Sequence, residues 1–390
     1  ARCHEDEGTK KRLLTFAAVL VRSLYRAGIL EMARDTSTPY LWVVVAEGLQ
    51  WDFSLHHALS LYLIEALRLL DMQAEIYTFD LLTLVEAILE DPEVVLRRQV
   101  DKIKQELVAQ LKADGMAYEE RMERLEEVTH PQPLADFLHG SFNRFKGDHP
   151  WVGSKEIRPK SIGREMFEGF MSFADYVKRY GLQRSEGVLL RYVSQLYKTL
   201  DQSVPEWAKT EGVWDALGFF RAMIDLTDTS LLEEWESLLH PEIRLEGEDR
   251  REAAREALWL EELLANPRSF AARVRAEMHL LVRALATREW EEAVASVQQD
   301  PEGPGGVWDE ERFEAAMQPF SEEHGELVFT PEARRHHLTE IRKTGDRTWD
   351  VSQTLLDPQG DNLWAIQGTI DLRRPQATDG PLVRLTRIGM

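Results

Sequence analysis

Residues 184–205, RSEGVLLRYVSQLYKTLDQSVP, decide the fold of the central part of the chain. The apolar residues Leu189, Val193, Leu196 and Leu200 recur at intervals of three and four, which is the spacing of one face of an α-helix. A helix with one apolar face is stable mainly when that face packs against other elements. The stretch therefore predicts a long helix inside a helical bundle.

The same helical pattern runs from residue 53 to residue 240, which we take as one helical domain. In front of it, residues 9–27 predict a helix and residues 40–45 a strand. Helix followed by strand is typical of the end of a winged-helix domain, so residues 1–52 are expected to form a partial winged helix. Residues 130–162 are rich in proline and glycine and predict the longest irregular segment of the chain.

The last third of the chain has a different composition. Residues 241–265 predict a charged connector helix, which Asn266 and Pro267 end. Residues 266–390 predict an α+β domain, in which alternating stretches such as TWDVSQTLLD indicate antiparallel strands with one buried face. The expected strands cover residues 327–329, 336–342, 348–357, 362–372 and 382–388. The fold class is therefore multidomain: mainly an α-helical bundle with a partial winged helix, followed by a cone-like α+β domain with a curved antiparallel sheet.

Length and composition limit the possible classes of protein. A chain of 390 residues is too long for one ordinary core, and 43% hydrophobic residues are too many for a disordered protein. The single cysteine, Cys3, excludes a disulfide framework and favours a reducing, cytoplasmic compartment. No apolar run reaches the length of about 18 residues that a membrane span needs. Because the chain opens without methionine, we expect it to be a fragment of a longer protein.

Positive charge is concentrated in residues 143–198. This basic segment has 11 Lys/Arg against 6 Asp/Glu, whereas the whole chain has a net charge of -21. Basic side chains neutralise phosphates, and exposed aromatic rings stack on unpaired bases. A solvated face and a helical core are the alternative interpretations of the same residues. The aromatic residues of the segment are Phe142, Phe145, Trp151, Phe167, Phe170, Phe173, Tyr176, Tyr180, Tyr192 and Tyr197.

The motifs of several enzyme classes are missing from the sequence. It contains no GxxxxGK[ST] phosphate loop, no DExH or DExD box, no GxSxG and no HExxH. The chain by itself is therefore not expected to hydrolyse ATP. A pocket inside the curved sheet stays open as an alternative, with His337, Asp350, Asp357 and Trp364 as the residues that would face it.

The order LVRSLYRAGIL, strand, SLHHALSLYLIEALRLLD, long helix and RSEGVLLRYVSQLYKTLDQSVP resembles a region of known helicases. It is similar to the part behind the motor of superkiller-type bacterial DEAD/DEAH-box RNA helicases, and especially to the helicase-associated, uncharacterised C-terminal family attached to some of them. The resemblance extends through FAARVRAEMHLLVRALATREWEEA to PLVRLTRIG and so covers nearly all of the chain. Residues 266–390 are also similar, in element order, to cone domains of the SnoaL and nuclear-transport-factor type.

The resemblance implies an accessory C-terminal region of an ATP-dependent RNA helicase. Its winged helix and helical ratchet would guide single-stranded RNA, or another nucleic acid, that leaves the motor. The two RecA-like motor domains have no counterpart here, so ATP and Mg²⁺ would belong to them and no cofactor is expected in this chain. Together with the charge, the resemblance predicts the nucleic-acid contacts Lys155, Arg158, Lys160, Arg164, Arg184 and Arg191, and no catalytic or metal-binding residue.

Two further interpretations stay open beside this one. The chain is a protein-interaction scaffold if its acidic surface or its cone domain recruits a protein partner. It is an enzyme, or binds a small molecule, if the cone encloses a pocket. Neither interpretation requires a membrane.

Overall fold

In a computed structural model of the chain, the described residues are 6–34, 41–46, 59–227, 264–303, 305–373 and 380–390. They contain thirteen α-helices and two small antiparallel sheets. The chain divides into two compact units, Ala1–Thr210 and Glu211–Met390. The expected multidomain chain, rich in helix and followed by an α+β part, is confirmed at this level. The predicted connector at 241–265 falls almost wholly outside the described residues.

The first unit begins with a helix and a two-stranded hairpin. The helix is α1 (Glu7–Arg26), and the strands β1 (Leu30–Arg34) and β2 (Leu41–Val45) pair antiparallel. Both the helix predicted at 9–27 and the strand predicted at 40–45 are present. Strand β1 was not predicted, because its sequence LEMAR lacks the β-branched and aromatic residues that favour strands.

Eight helices complete the first unit. They are α2 (Ser60–Leu67), α3 (Tyr77–Ile88), α4 (Glu93–Ala113), α5 (Tyr118–Glu126), α6 (Ala135–Asp148), α7 (Gly163–Glu168), α8 (Phe173–Tyr180) and α9 (Glu186–Gln202). Helix α3 lies in the core, since ten of its twelve residues are buried. The apolar stripe of α9 is buried as predicted, with Leu189, Val193, Leu196 and Leu200 fully enclosed.

Helix α6 corrects the prediction for residues 130–162, which we expected to be irregular throughout. It spans fourteen residues and buries Leu138, Phe142 and Phe145 on one face. The prediction gave too much weight to Gly140 and Gly147. A glycine inside a helix costs about 1 kcal/mol relative to alanine, and burial of a large apolar side chain contributes about 1.5–3 kcal/mol. Tertiary packing therefore outweighs the low helix propensity here.

The second unit combines four described helices with a four-stranded sheet. The helices are α10 (Glu211–Thr227), α11 (Pro267–Thr287), α12 (Trp290–Ala295) and α13 (Glu310–His324). The strands are β3 (Thr339–Gly345), β4 (Thr348–Thr354), β5 (Ala365–Asp371) and β6 (Arg384–Gly389), and they pair antiparallel in sequence order. The strand predicted at 327–329 is reduced to a single bridge between Val328 and Leu356.

Helix α10 differs from its predicted domain. The sequence placed it in the helical domain that ends at residue 240, but in the structure it packs on α11 of the second unit. The two backbones approach so closely at Gly218 that a Cβ atom there would lie 2.7 Å from the carbonyl oxygen of Ala272. Composition could not locate this boundary, because it does not show which helix receives the apolar face of α10.

The sheet of the second unit has the predicted alternation. In β4 every second residue is buried, including Trp349 and Val351. Glu277 of α11 is also buried and accepts hydrogen bonds from the backbone N–H groups of Leu382 and Val383, at 2.8 and 3.3 Å. This carboxylate ties the last part of the sheet to the helix layer. None of the helices in the described ranges has both the length and the apolar composition of a membrane span.

Candidate nucleic-acid interface

Part of the basic segment is an extended stretch that crosses the end of α3. Residues 155–161 lie between a short 3-10 turn, Pro150–Val152, and helix α7. The backbone N–H of Arg158 donates to the carbonyl oxygen of Ala87 at 2.9 Å. We call residues 155–164 the crossing segment. It carries four of the six residues that were predicted to contact nucleic acid.

Lys160 is buried at the carboxyl end of α3. Its side chain has no exposed area, and its Nζ lies 2.9 Å from Oδ1 of Asp91. The same ammonium donates to the carbonyl oxygens of Leu89 and Arg158, each at 2.9 Å. Burial lowers the pKa of Lys160, and the bond to Asp91 opposes that shift. A cation at a helix carboxyl end is favourable, so Lys160 anchors the crossing segment and is not placed to meet a phosphate.

Arg164 is also occupied by groups of its own unit. Its guanidinium Nη1 lies 3.3 Å from Oδ1 of Asp80 and 3.1 Å from the hydroxyl oxygen of Thr83. The guanidinium carbon lies 5.7 Å from the centre of the Phe79 ring, within cation–π range. Only 17% of the side chain is exposed. Arg164 therefore holds α7 against α3.

The other four predicted contacts are exposed. Lys155 and Arg158 lie on the crossing segment, Arg184 lies just before α9, and Arg191 lies on its outer face. Arg158 makes one long contact, 3.9 Å from its Nε to Asp91. Among the described residues no carboxylate forms an ion pair with Lys155, Arg184 or Arg191. Their charges are available to an external polyanion.

The aromatic residues of the basic segment form core, not a stacking surface. Nine of the ten predicted rings are buried, and Trp151 is partly exposed. The rings of Tyr62, Phe142 and Phe145 pack on one another with centroids 5.1 to 6.4 Å apart. Base stacking on these rings, the first interpretation of their pattern, is not supported by their placement. The helical-core interpretation describes them correctly.

Glu86 is a residue that the sequence analysis missed. It lies on α3 with no exposed area, and burial raises its pKa, although four hydrogen bonds oppose that shift. Its carboxylate accepts from the backbone N–H groups of Ile162, Gly163 and Arg164, at 2.8, 2.8 and 3.1 Å. It also accepts from the hydroxyl of Tyr192 on α9, at 2.8 Å.

A signal for Glu86 was present in the sequence. It is the only charged residue in the apolar run LLTLVEAIL at 81–89. A carboxylate in such a run is buried with the helix around it, and a buried carboxylate needs partners. The sequence did not identify those partners, since they lie 76 to 106 positions away.

A second carboxylate, Glu165 on α7, gathers a neighbouring set of polar groups. It accepts from the hydroxyl of Tyr180 at 2.6 Å and from that of Tyr176 at 3.3 Å. Gln99 of α4 donates to Glu165 and to Tyr176, at 3.1 and 3.0 Å. Burial raises the pKa of Tyr180, and the hydrogen bond to Glu165 adds to that shift, so its phenol stays protonated at neutral pH. These bonds fix α4, α7 and α8 to one another.

The second unit holds a buried polar cluster between α10 and α11. Arg275 pairs with Asp215 and with Glu211, the latter at 3.1 Å. Burial raises the pKa of Asp215 to about 6, despite the opposing charge of Arg275. Burial also lowers the pKa of His279 to about 3, and the nearby charges of Arg334 and Arg275 add to that shift. The cluster holds two helices together inside the unit.

The four residues proposed for an enzymatic pocket do not converge. His337 is exposed, and Asp350 pairs with Arg342 on the neighbouring strand at 2.9 Å. Trp364 lies in the hydrophobic core, edge-on to Phe320. Asp357 organises the turn before β5. The arrangement gives no support to catalysis by this set.

One group of side chains in the described ranges has the spacing of a metal site: His324, Asp357 and Asp361, whose candidate ligand atoms lie within 4.8 Å of one another. The carboxylate of Asp357 already accepts four hydrogen bonds from the backbone. It accepts backbone N–H bonds from Gln359, Gly360, Asp361 and Asn362, at 2.9, 2.7, 3.2 and 2.6 Å. These bonds shape the turn, and the group fits a turn better than a cation site.

A comparison of the chain with protein families finds a match to one family. A family described as a domain of unknown function, DUF3516, matches residues 1–388. The comparisons with curated proteins and with solved structures found no match. Because the family match spans both units from end to end, the chain belongs to the DUF3516 family.

Proposed function

We propose that the first unit binds single-stranded nucleic acid through a basic face formed by Lys155, Arg158, Arg184 and Arg191. The observation that carries this proposal is the exposure of these four cations in a chain of net charge -21. A local cationic surface on an acidic protein attracts a polyanion at that surface and repels it elsewhere. Lys160 and Arg164 support this face from inside and are not among its contacts.

In its full form, the proposal is that the chain is the accessory C-terminal region of a cytoplasmic, ATP-dependent DEAD/DEAH-box RNA helicase of the superkiller type. Its support is the sequence resemblance together with the basic face. The helix and hairpin at the amino end would be the remnant of a winged helix, the bundle behind them a ratchet-like guide for RNA, and the second unit a SnoaL-like cone. ATP and Mg²⁺ would act in RecA-like motor domains, which are the expected partner.

The test is an anisotropy titration of a labelled single-stranded RNA of about 20 nucleotides, repeated from about 50 mM to about 200 mM salt. The quadruple variant Lys155→Ala, Arg158→Ala, Arg184→Ala and Arg191→Ala should bind weakly and have a flatter salt dependence. Each phosphate contact that is lost should lower the salt slope by about 1. A single-stranded DNA of the same sequence measures the preference between the two nucleic acids.

A matched control uses two cations outside the basic face, of which Lys112 is exposed and Lys104 is partly exposed. Lys104 and Lys112 lie on α4, and replacing both with alanine removes charge of the same sign without touching the four contacts. Unchanged RNA affinity and salt slope in the quadruple variant, in a protein with unchanged circular dichroism, would refute the proposal. Equal losses of RNA affinity in the quadruple variant and the α4 control would show that positive charge attracts RNA without a defined binding face, which would also refute the proposal.

A second candidate function, protein recruitment, has its own supporting observation. Helix α1 exposes Leu13, Leu14 and Tyr25, and β2 exposes Trp42 and Val45. A two-stranded hairpin with apolar residues exposed is marginally stable in water unless another surface covers it. Cationic residues border the stripe on α1, namely Lys11, Arg22 and Arg26. Charge complementarity then favours a protein partner that has an apolar centre and an acidic rim.

The test for this candidate is site-specific photocrosslinking in cells. A photoreactive phenylalanine analogue at Leu14 should capture one defined protein, while the same group at the exposed Ala109 of α4 should not. The captured protein, purified, must bind the wild-type chain more tightly than the variant with Arg22→Glu and Arg26→Glu. Equal binding to both chains would reject charge-complementary recruitment at α1.

A further inference from the structure

We infer that Glu86, together with Tyr192, is a positioning residue that sets the distance between the two halves of the basic face. One half is the crossing segment, with Lys155 and Arg158. The other half is α9 and the residue before it, with Arg191 and Arg184. The inference rests on the proposed function and adds to it the part of the core on which the geometry of the face depends.

The geometry of Glu86 joins these two halves directly. Oxygen Oε1 accepts from the N–H groups of Ile162 and Gly163, at the end of the crossing segment, and from the hydroxyl of Tyr192 on α9. All three distances are 2.8 Å. Oxygen Oε2 accepts from the N–H of Arg164 at 3.1 Å. A single buried carboxylate therefore fixes the start of α7 and the middle of α9 to α3.

The connection to the exposed cations is short on both sides. Tyr192 follows Arg191 directly in α9, so the phenol points inward while the neighbouring guanidinium is exposed. On the other side, three residues separate Arg158 from Ile162, and the bonds of Lys160 to Leu89 and Asp91 hold the stretch between them. A movement of either half of the face relative to Glu86 is therefore restricted.

We call Glu86 and its four hydrogen-bond donors the joint, and a carboxylate is the side chain that these donors require. It accepts all four donors at once, and it has no N–H of its own that would oppose them. It also lies at the amino end of α7, where negative charge is favourable. Glutamine has the same shape, but its side-chain NH₂ group is a donor. It would lie against the N–H or O–H donors around position 86 and could not bond to them. Tyr192→Phe is the sharper change, because it removes only the bond to α9 and keeps the carboxylate at α7.

Two measurements on the full chain test the inference. Because Cys3 is the only cysteine, a Cys3→Ser background allows spin labels at Ser154→Cys and Val188→Cys, one on each side of the joint. Pulsed electron resonance then gives the distribution of distances between them. The same proteins are titrated with single-stranded RNA. In Tyr192→Phe we expect a broader or shifted distribution and an RNA affinity at least about fivefold weaker, with a salt slope lower by about 1.

The matched control is Tyr180→Phe. It also removes a phenol bonded to a glutamate, at 2.6 Å from Glu165, but that bond joins α8 to α7 and does not involve α9. Tyr180→Phe should leave both the distance distribution and the RNA affinity close to wild type. Glu86→Gln serves as a second variant and should act in the same direction as Tyr192→Phe.

The possible outcomes separate this inference from the proposed function. If wild-type protein does not bind RNA, the proposed function fails and this inference fails with it. If wild type binds but Tyr192→Phe matches Tyr180→Phe in distance and affinity, only the positioning role is overturned. A changed distance with unchanged affinity overturns it equally, since the spacing would then not matter for binding. A changed distance together with weakened binding, absent from the control, supports it.

Discussion

Lys160 offers the sharpest test of which cations are structural. The change Lys160→Ala removes an ammonium with no exposed area and its three contacts of 2.9 Å, to Asp91, Leu89 and Arg158. Breaking a buried ion pair costs about 3–5 kcal/mol. The side chain of Asp91 is 31% exposed and regains water, which reduces that cost. Carbonyl oxygens left without a donor add about 1–3 kcal/mol each if they stay dry. We expect a net loss of about 3 kcal/mol.

The assay is thermal or urea unfolding followed by circular dichroism. For a unit of this size, each kcal/mol lowers Tm by about 2–4 °C, so Lys160→Ala should lower it by about 6–12 °C. Lys155→Ala is the control, because that side chain is exposed and should change stability by less than about 0.5 kcal/mol. In RNA titrations the roles should reverse, with Lys155→Ala lowering the salt slope. An unchanged Tm together with a lower salt slope in Lys160→Ala would refute the buried placement.

The remaining predictions concern the second unit. Gly218→Ala should destabilise it, since the new Cβ would lie 2.7 Å from the carbonyl oxygen of Ala272, and urea unfolding should show a lower midpoint. Burial raises the pKa of Asp215 to about 6, so its contribution to stability is full at low pH and is lost as pH rises towards 6. Burial lowers the pKa of His279 to about 3, so this histidine destabilises the folded state as pH falls below about 6.5. Urea unfolding of each variant and of wild type should therefore be compared at about pH 4.5 and about pH 6.5. Relative to wild type at the same pH, Asp215→Asn should lose more stability at about pH 4.5, and His279→Gln should gain stability there. Calcium at about 1 mM should leave Tm unchanged, because backbone N–H groups already occupy the carboxylate of Asp357; a clear rise would indicate a cation site.

Several local elements could be read from the sequence because their causes are local. The stripe of Leu189, Val193, Leu196 and Leu200 predicts α9, and the alternation in TWDVSQTLLD predicts β4. Both patterns follow from the geometry of one helix or one strand with a buried face. The division into a helical part and an α+β part follows in the same way.

Elements whose stability depends on distant partners were predicted less well. Helix α6 contains two glycines and forms because Phe142 and Phe145 pack on Tyr62 of α2. Helix α10 joins the second unit because its backbone meets α11 at Gly218. Propensity and composition describe a segment alone, whereas these outcomes depend on the surface that the segment meets.

The sequence by itself determined where positive charge is concentrated, but only the tertiary structure decided which charges face the solvent. Lys155 and Lys160 are the same residue type, five positions apart in one basic segment. One is exposed, and the other is enclosed between the end of α3 and Asp91. The physical reason is that a buried cation is stable only with partners that satisfy its donors, and the chain brings those partners from 69 to 71 positions away.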